Sequence, residues 1–195
     1  DTHRHDQPWR FKVYSPPWRG LPPGLRACIC AAVDGFDRKP LQTVHLTDLL
    51  IAMYGPVASL HAFTADRSLG WETGDVVTVQ LQFKAGMTAT LQAILHTPHF
   101  IRTHVFGSDM WVEIRNATHP DTPGGKSTME RYRSIDDTET EVFEWTDSVT
   151  ANLEAFGAAI RGEAPYPYSD FELLHNIEVL DAIVLSADTG QSVQL

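Results

Sequence analysis

The clearest pattern in the chain is an alternation of apolar and polar residues over two neighbouring stretches. In DVVTVQLQF, residues 75–83, every second residue is large and apolar, which is the period of a half-buried strand. Residues 87–95 repeat the alternation after Ala85-Gly86, a pair typical of a tight turn. The pattern predicts an antiparallel hairpin whose apolar face comprises Val77, Val79, Leu81 and Phe83 on one strand and Met87, Ala89, Leu91, Ala93 and Leu95 on the other.

Other short apolar runs bounded by turn residues predict further strands. RACICAAV (26–33) and VASLHAFT (57–64) are two of them, and SVQL forms a short final strand. IRTHVF and MWVEIR predict a second hairpin around Gly107-Ser108-Asp109. Two weaker strands are expected near 128–133 and 140–145, with a loop over 116–127.

Three segments have the helical period instead. The first begins near Pro40, which suits the first turn of a helix, and ends near Tyr54 before Gly55-Pro56. The last begins at Ser169 and Glu172, which have capping-box spacing. The second helix ends at Arg161-Gly162, and its periodic residues are Val149, Leu153, Phe156 and Ile160. The predicted core stripe of the last helix comprises Leu173, Ile177, Leu180 and Val184.

This order of elements predicts an α+β fold, with a largely antiparallel open sheet and helices packed on one face. Residues 1–39 are expected to form an irregular arm plus the first strand, and residues 40–195 the domain proper. The other sheet face carries Gln and Thr in the first hairpin. A neutral polar face suits a surface covered by another subunit or a ligand, although a solvated face is the alternative.

The composition argues against some classes of binding partner. The formal net charge of −10 argues against nucleic acid and against an anionic membrane surface, since both require a basic patch. No apolar run has the length of a membrane span, and Cys28 and Cys30 are expected as buried thiols in a reducing compartment, the cytoplasm. The chain begins at Asp1, and we expect it to be a fragment cut from something longer.

The first helix carries two residues that a core helix does not need. His45 and Asp48 lie three residues apart, so they share one helix face with Leu41, Leu49 and Ala52. Either side chain could simply bond to backbone near the helix start. Alternatively, a histidine facing a cleft is a good proton donor or acceptor near neutral pH.

Other histidines offer weaker candidates. His96, His99 and His104 cluster around one turn, but the strand register argues against their convergence on a metal ion, so scattered surface histidines are expected and no metal site is predicted. A histidine-based metal enzyme is kept as a third alternative. His175, early in the last helix, is expected at the edge of the core or, as a substrate-binding residue, facing the same cleft as His45.

Five segments in order resemble the carboxy-terminal domain of the glucose–fructose oxidoreductase / inositol dehydrogenase / MocA (Gfo/Idh/MocA) family. They are VHLTDLLIAMYGPVASLHAFT, DVVTVQLQFKAGMTATLQAIL, HVFGSDMWVEIRN, LEAFGAAIRGEAPYP and VLDAIVLSADTGQSVQL. The resemblance implies an α+β domain that forms the substrate pocket and, through its open sheet, the interface of a homo-oligomer, a dimer or tetramer. It also implies an amino-terminal Rossmann domain that binds NAD or NADP, for which this chain has no GxGxxG motif.

The resemblance also assigns roles to residues. His45 falls on the histidine that takes the proton from the substrate hydroxyl, and Asp48 on an aspartate that often follows it. Leu41 stands where many members have an aspartate, so the carboxylate partner of the histidine is missing there. The expected function is the substrate-binding and oligomerisation domain of an NAD(P)-dependent oxidoreductase acting on a sugar, cyclitol or cyclic diol, inactive as an isolated chain. The alternative is a non-catalytic dimerising module that binds a small ligand.

Overall fold

The computed structural model describes residues 30–33, 42–70, 74–119 and 122–195. Its helices are α1 (Gln42–Tyr54), α2 (Ser148–Ile160) and α3 (Asp170–Thr189). Its strands are β1 (Cys30–Val33), β2 (Val57–Ala65), β3 (Val76–Phe83), β4 (Thr88–Ile94), β5 (Ile101–Phe106), β6 (Trp111–Asn116), β7 (Lys126–Ser134), β8 (Asp137–Glu144) and β9 (Val193–Gln194).

The strands form one open sheet in the order β8-β7-β6-β5-β1-β4-β3-β2-β9. Neighbouring strands are antiparallel, except that β1 runs parallel to β4. The predicted α+β fold with a largely antiparallel open sheet is therefore confirmed. Leu41, Cys28 and nearly all of the predicted arm lie outside the described residues. None of the described helices is both long and apolar enough to span a membrane.

The β3–β4 hairpin has the predicted register and faces. Val79 pairs with Leu91, and neither side chain is exposed to solvent. At the turn, Gly86 has a φ of 91° and donates its N–H to the Phe83 carbonyl. A positive φ favours glycine, which explains why Gly86 occupies this position.

The core lies between one face of the sheet and the helices α1 and α3. From the sheet it receives the inward residues of β2–β7. From the helices it receives Leu46, Leu50 and Ile51 of α1 together with Val179, Ala182 and Ile183 of α3. We call this side the inner face, and the side carrying Gln80 and Thr90 the outer face.

The predicted core stripe of α3 is wrong at three of its four positions; only Leu180 packs against the core, partly buried. Leu173, Ile177 and Val184 are about half exposed, whereas the buried residues include His175, Asn176 and Ser186. These polar side chains are buried because α3 packs beside β2 where β2 extends beyond the two-residue strand β9, and the backbone N–H groups there need acceptors. His175 Nε2 accepts the Val57 N–H at 2.9 Å, and Ser186 Oγ accepts the Ala62 N–H at 2.9 Å.

Between those two bonds, β9 pairs with β2 at Ser59 and Leu60. Helix α3 and β9 together protect this sheet edge, where unpaired N–H groups would invite association with another chain. Ser186 also donates to the Gln191 carbonyl at 2.6 Å, so its hydroxyl fixes both the edge strand and the chain beyond the helix.

The apolar residues displaced from the α3 core stripe are exposed, and so are the periodic apolar residues of α2. Together we call them the helical apolar surface: Val149, Leu153, Phe156 and Ile160 of α2, with Phe171, Leu173, Leu174, Ile177, Val184 and Leu185 of α3. Helix α2 has no buried residue, so its amphipathic pattern is not used within the described part of this chain. Large exposed apolar surfaces usually mark an interaction site.

Asp75 fixes the connection between β2 and β3. Its carboxylate is almost fully buried and accepts the N–H groups of Arg67, Ser68 and Leu69 at 2.8, 2.7 and 3.1 Å. The neighbouring Gly74 lies close to the backbone of Ala65. A Cβ at this position would be 2.8 Å from the Ala65 carbonyl oxygen. Burial alone would raise the pKa of Asp75, but the backbone N–H bonds outweigh it and lower the pKa below its ordinary value.

Replacing Val79 with Lys should unfold or aggregate the chain. The substitution places an unpaired charge on the inner face, where Val79 is completely buried. We expect a loss of more than about 4 kcal/mol in the free energy of unfolding, measured by urea denaturation. Thr90→Lys, on the outer face, is the control and should leave the fold intact. If Val79→Lys were harmless and Thr90→Lys ruinous, the assigned faces would be inverted.

Replacing Ser186 with Ala should lower the free energy of unfolding by about 1–3 kcal/mol. The change leaves the buried Ala62 N–H without an acceptor, and the cost is that of an unsatisfied group. Ser192→Ala, at an exposed position, should change stability by less than about 0.5 kcal/mol. Equal effects of the two substitutions would show that α3 does not protect the β2 edge through Ser186.

Replacing Asp75 with Asn should remove part of the pH dependence of stability. Because the folded pKa of Asp75 is lowered, its contribution is present above the unfolded pKa of about 3.9 and is lost as the pH falls through the folded pKa. Urea unfolding between pH 7 and pH 3 should therefore show a shallower acid decline for Asp75→Asn than for wild type. Asp136→Asn, an exposed control, should follow the wild-type curve; an unchanged curve for Asp75→Asn would contradict the assignment.

Candidate functional site

His45 lies in the first turns of α1, on the side of the helix that faces away from the core. Its side chain is exposed, whereas Leu46 and Thr47 beside it are buried. Asp48 follows three residues later and is half-buried. The structure therefore places both predicted site residues near one another on the outward side of α1, as the spacing predicted.

A buried polar contact holds this helix in position. Thr47 is fully buried, and its hydroxyl donates to Asn176 Oδ1 of α3 at 2.6 Å. Asn176 in turn donates its Nδ2 to the Val44 carbonyl at 3.4 Å. Since Val44 immediately precedes His45, this contact fixes the backbone that carries the candidate acid–base residue.

His175 occupies a different place from His45. Its side chain is 4% exposed and lies against the start of β2. Nε2 accepts the Val57 N–H, which requires Nδ1 to carry the proton and to donate it to Glu178 Oε2 at 2.9 Å. Both ring nitrogens are thus used within the domain; a further role of His175 in substrate binding stays a prediction.

Tyr54, at the other end of α1, is a further ionisable group that the sequence did not single out. Burial raises the pKa of Tyr54 well above its ordinary value, so the phenol stays protonated at neutral pH. Its ring packs against Phe83 at a centroid distance of 5.2 Å. Tyr54 is therefore a packing residue and not a competitor to His45 as a proton acceptor.

The histidines around the β4–β5 turn do not form a metal centre. No group of three His, Cys, Asp or Glu side chains within residues 30–33, 42–70, 74–119 and 122–195 is placed to hold a metal ion. His99 Nε2 lies 3.1 Å from the Asn116 carbonyl, and His104 Nε2 lies 3.7 Å from Glu113 Oε1. The rings of His99 and His104 therefore have separate partners.

The outer face of the sheet has a feature that sequence reasoning missed. Across β5, β6 and β7, the rings of Phe106, Trp111 and Tyr132 lie side by side, and we call these three residues the aromatic patch. Charged side chains border it, namely Arg102, Glu113, Arg115 and Glu130. The prediction of a neutral outer face with Gln and Thr is therefore correct only for the first hairpin. The period-two alternation of Arg102, His104 and Phe106 was the available signal.

A family model for the GFO/IDH/MocA C-terminal domain matches residues 41–113. No curated protein sequence matches the chain. Among solved structures, a proposed NADPH-dependent oxidoreductase from Desulfitobacterium hafniense is 19% identical with a TM-score of 0.72; the match covers 87% of this chain and 56% of that one.

Two further structures share the fold. Aldose-aldose oxidoreductase from Caulobacter crescentus, complexed with glycerol, is 18% identical, has a TM-score of 0.71, and is matched over 90% of this chain and 57% of that one. The WlbA dehydrogenase from Bordetella pertussis, in complex with NADH and UDP-GlcNAcA, is 17% identical with a TM-score of 0.62, over 88% and 54%.

The chain thus spans slightly more than half the length of these structural neighbours. The matched segment contains α1 with His45 and Asp48, the β3–β4 hairpin, and β5 with part of β6. The neighbours are oxidoreductases and share the fold over nearly the whole chain. Residues 41–113 therefore match the model of the GFO/IDH/MocA C-terminal domain, in agreement with the resemblance drawn from the sequence.

Proposed function

We propose that this chain is the substrate-binding and oligomerisation domain of an NAD(P)-dependent oxidoreductase. The observation that carries the proposal is the position of His45: it lies within the family-matched segment and projects from the outward side of a helix fixed to the core. A histidine so placed is open to an approaching substrate, and its imidazole is a group that can accept the proton of a hydroxyl.

The proposed substrate is a small polyhydroxylated molecule, a sugar, cyclitol or cyclic diol. Two neighbours that share the fold support this class: the Caulobacter protein is an aldose-aldose oxidoreductase with glycerol bound, and the Bordetella dehydrogenase holds UDP-GlcNAcA. Oxidation of such a hydroxyl removes a proton and a hydride, and the group that accepts the hydride is the nicotinamide of NAD or NADP.

The described residues do not fit the diphosphate of that cofactor. Dinucleotide diphosphates bind at free helix N-termini after a glycine-rich turn. Helix α2 is instead capped by the Asp147 carboxylate, which accepts the Thr150 N–H, and α3 by Ser169 with the Glu172 carboxylate. We therefore assign cofactor binding mainly to another part of a longer protein.

The helical apolar surface also supports a role within a larger protein. Four apolar side chains of α2 and six of α3 are exposed along elements that otherwise fold regularly. Covering apolar area contributes roughly 25 cal/mol per Å², so a second domain docked here would stabilise both parts.

The individual roles follow from these placements. His45 is the proposed catalytic acid–base residue, and Asp48, on the same side of α1, the proposed partner that orients it. Leu41, in place of the family aspartate, lies outside the described residues; its effect on activity depends on whether Asp48 or another group replaces the missing carboxylate.

The second candidate function is a dimerising module that binds a small ligand without catalysis. Leu41 favours it, because the loss of a carboxylate beside the histidine weakens acid–base catalysis. In the first candidate function His45 accepts a proton from the bound substrate, and in the second it has no catalytic role. Substitution of His45 therefore distinguishes the two.

Replacing His45 with Asn in the protein encoded by the complete reading frame should lower kcat by about 10²–10⁴-fold, the usual contribution of a general acid–base group. KM and assembly should stay nearly unchanged, because an exposed imidazole contributes little to packing. The measurement is NAD(P)-dependent oxidation of polyols and sugars, followed at 340 nm.

His96→Asn is the matched control, since His96 is also exposed but lies in the turn after β4. It should leave turnover unchanged. Unchanged turnover in His45→Asn would remove the catalytic role, and saturable ligand binding without any turnover in wild type would favour the non-catalytic module.

A further inference from the structure

Helix α1 is attached to α3 at both of its ends, through two consecutive residues of α3. Near the start of α1, Asn176 Oδ1 accepts the Thr47 hydroxyl at 2.6 Å. Just beyond its end, His175 Nε2 accepts the Val57 N–H at 2.9 Å. His45 lies within the helix that these two attachments bracket. The position of one turn of α3 therefore determines the position of the helix that carries the candidate acid–base residue.

The attachment at the start of α1 is a set of three mutually bonded groups. Besides accepting from Thr47, Asn176 donates its Nδ2 to the Val44 carbonyl at 3.4 Å, and the Thr47 hydroxyl lies 3.1 Å from the same carbonyl. Thr47 and Asn176 are both buried, so these bonds form where bulk water does not compete for them. The peptide bond between Val44 and His45 is thereby held directly.

The attachment at the end of α1 acts through a short and stiff connection. Gly55 ends the helix with a φ of 78° and donates its N–H to the Ile51 carbonyl at 2.8 Å. Pro56, whose ring fixes its φ, is the next residue, and Val57 follows as the first residue of β2. Because so little chain lies between helix and strand, holding the Val57 N–H also holds the end of α1.

The imidazole of His175 is itself fixed as an acceptor. Its Nδ1 donates to Glu178 Oε2 at 2.9 Å, which leaves Nε2 without a proton and able to accept from Val57. The ring stacks on that of Phe171, with centroids 5.3 Å apart and planes 11° apart. His175 is therefore held in ring orientation and in tautomer by residues of its own helix.

The other contacts of α1 do not provide the same definition. Its core residues Leu46, Leu50 and Ile51 are apolar, and apolar burial is non-directional. Such packing keeps the helix on the sheet but tolerates small rotations and shifts, whereas hydrogen bonds weaken steeply with misalignment. Proton transfer requires the acceptor within hydrogen-bond reach of the substrate hydroxyl, and a displacement of about 1 Å can cost about 10²-fold in rate.

We propose that Asn176 and His175 are positioning residues that hold His45 in the place and orientation needed for proton transfer. The inference rests on the proposed function and adds to it: His45 contacts the substrate, whereas Asn176 acts through Thr47 and His175 acts through Val57. In this role His175 requires no contact with the substrate. The bonds from α3 thus contribute to turnover as well as to stability.

Two pairs of substitutions at Thr47 and His175 test the proposal in the protein encoded by the complete reading frame. Thr47→Val keeps the shape and removes the hydroxyl; it should lower kcat by about 10–100-fold and change KM by less than about threefold. Thr47→Ser restores the hydroxyl and should recover most of the lost kcat. His175→Leu should likewise lower kcat, and His175→Gln, whose side-chain carbonyl can accept the Val57 N–H, should recover most of it. Circular dichroism should show that each assayed variant is folded.

Ser186→Ala is the control for a general loss of stability. It removes an acceptor of the same kind, for the Ala62 N–H, from the part of α3 that lies further along β2. It should lower the free energy of unfolding but leave kcat unchanged, since Ser186 holds neither end of α1. A loss of kcat in Ser186→Ala equal to that in Thr47→Val would overturn the positioning role.

A double-mutant cycle with His45→Asn shows whether the contact acts through His45. In the His45→Asn protein, Thr47→Val should cause no further loss of kcat, because the group that it positions is already absent. A further loss of about 10-fold or more would overturn the inference, and so would a wild-type kcat in both Thr47→Val and His175→Leu. A wild-type kcat in His45→Asn alone would instead contradict the proposed function, so the two failures are distinguishable.

Discussion

The packing of α3 along the edge of β2, which β9 covers only in part, is the constraint on which the rest of the structure depends. A sheet edge leaves N–H groups that need acceptors, and α3 supplies His175 to Val57 and Ser186 to Ala62. This requirement places polar residues on the buried side of the helix. It also turns Leu174 and Ile177 outward, so the α3 part of the helical apolar surface is a consequence of protecting the edge.

The same helix determines where the candidate chemistry lies. Asn176, next to His175, receives the Thr47 hydroxyl and thereby fixes α1 against α3. With Leu46 and Thr47 turned to the core, His45 can only face outward. The described part of the chain therefore presents three distinct surfaces: the outward side of α1, the helical apolar surface and the outer sheet face.

Local sequence patterns predicted the helices and strands well. The features they did not predict, the buried side of α3 and the Thr47–Asn176 contact, depend on tertiary packing. The β3–β4 faces were correct because strict alternation admits one inward set, with Val79 and Leu91 at its centre. The α3 stripe was wrong at Leu173, Ile177 and Val184 because the helical period locates only apolar residues, whereas a helix packed beside a strand edge buries polar ones. His45 and Asp48 were placed together by spacing alone, but the Thr47–Asn176 contact joins residues 129 positions apart and left no local signal.

The central claim is that this domain works beside a nucleotide-binding unit of the same polypeptide. The most direct measurement is the coding sequence upstream of Asp1 in the source DNA. The account predicts a strand–GxGxxG–helix unit in the same reading frame, which would supply the dinucleotide site that the described residues do not fit. A start codon immediately before Asp1 would contradict it, and the dimerising ligand-binding module would then replace the oxidoreductase.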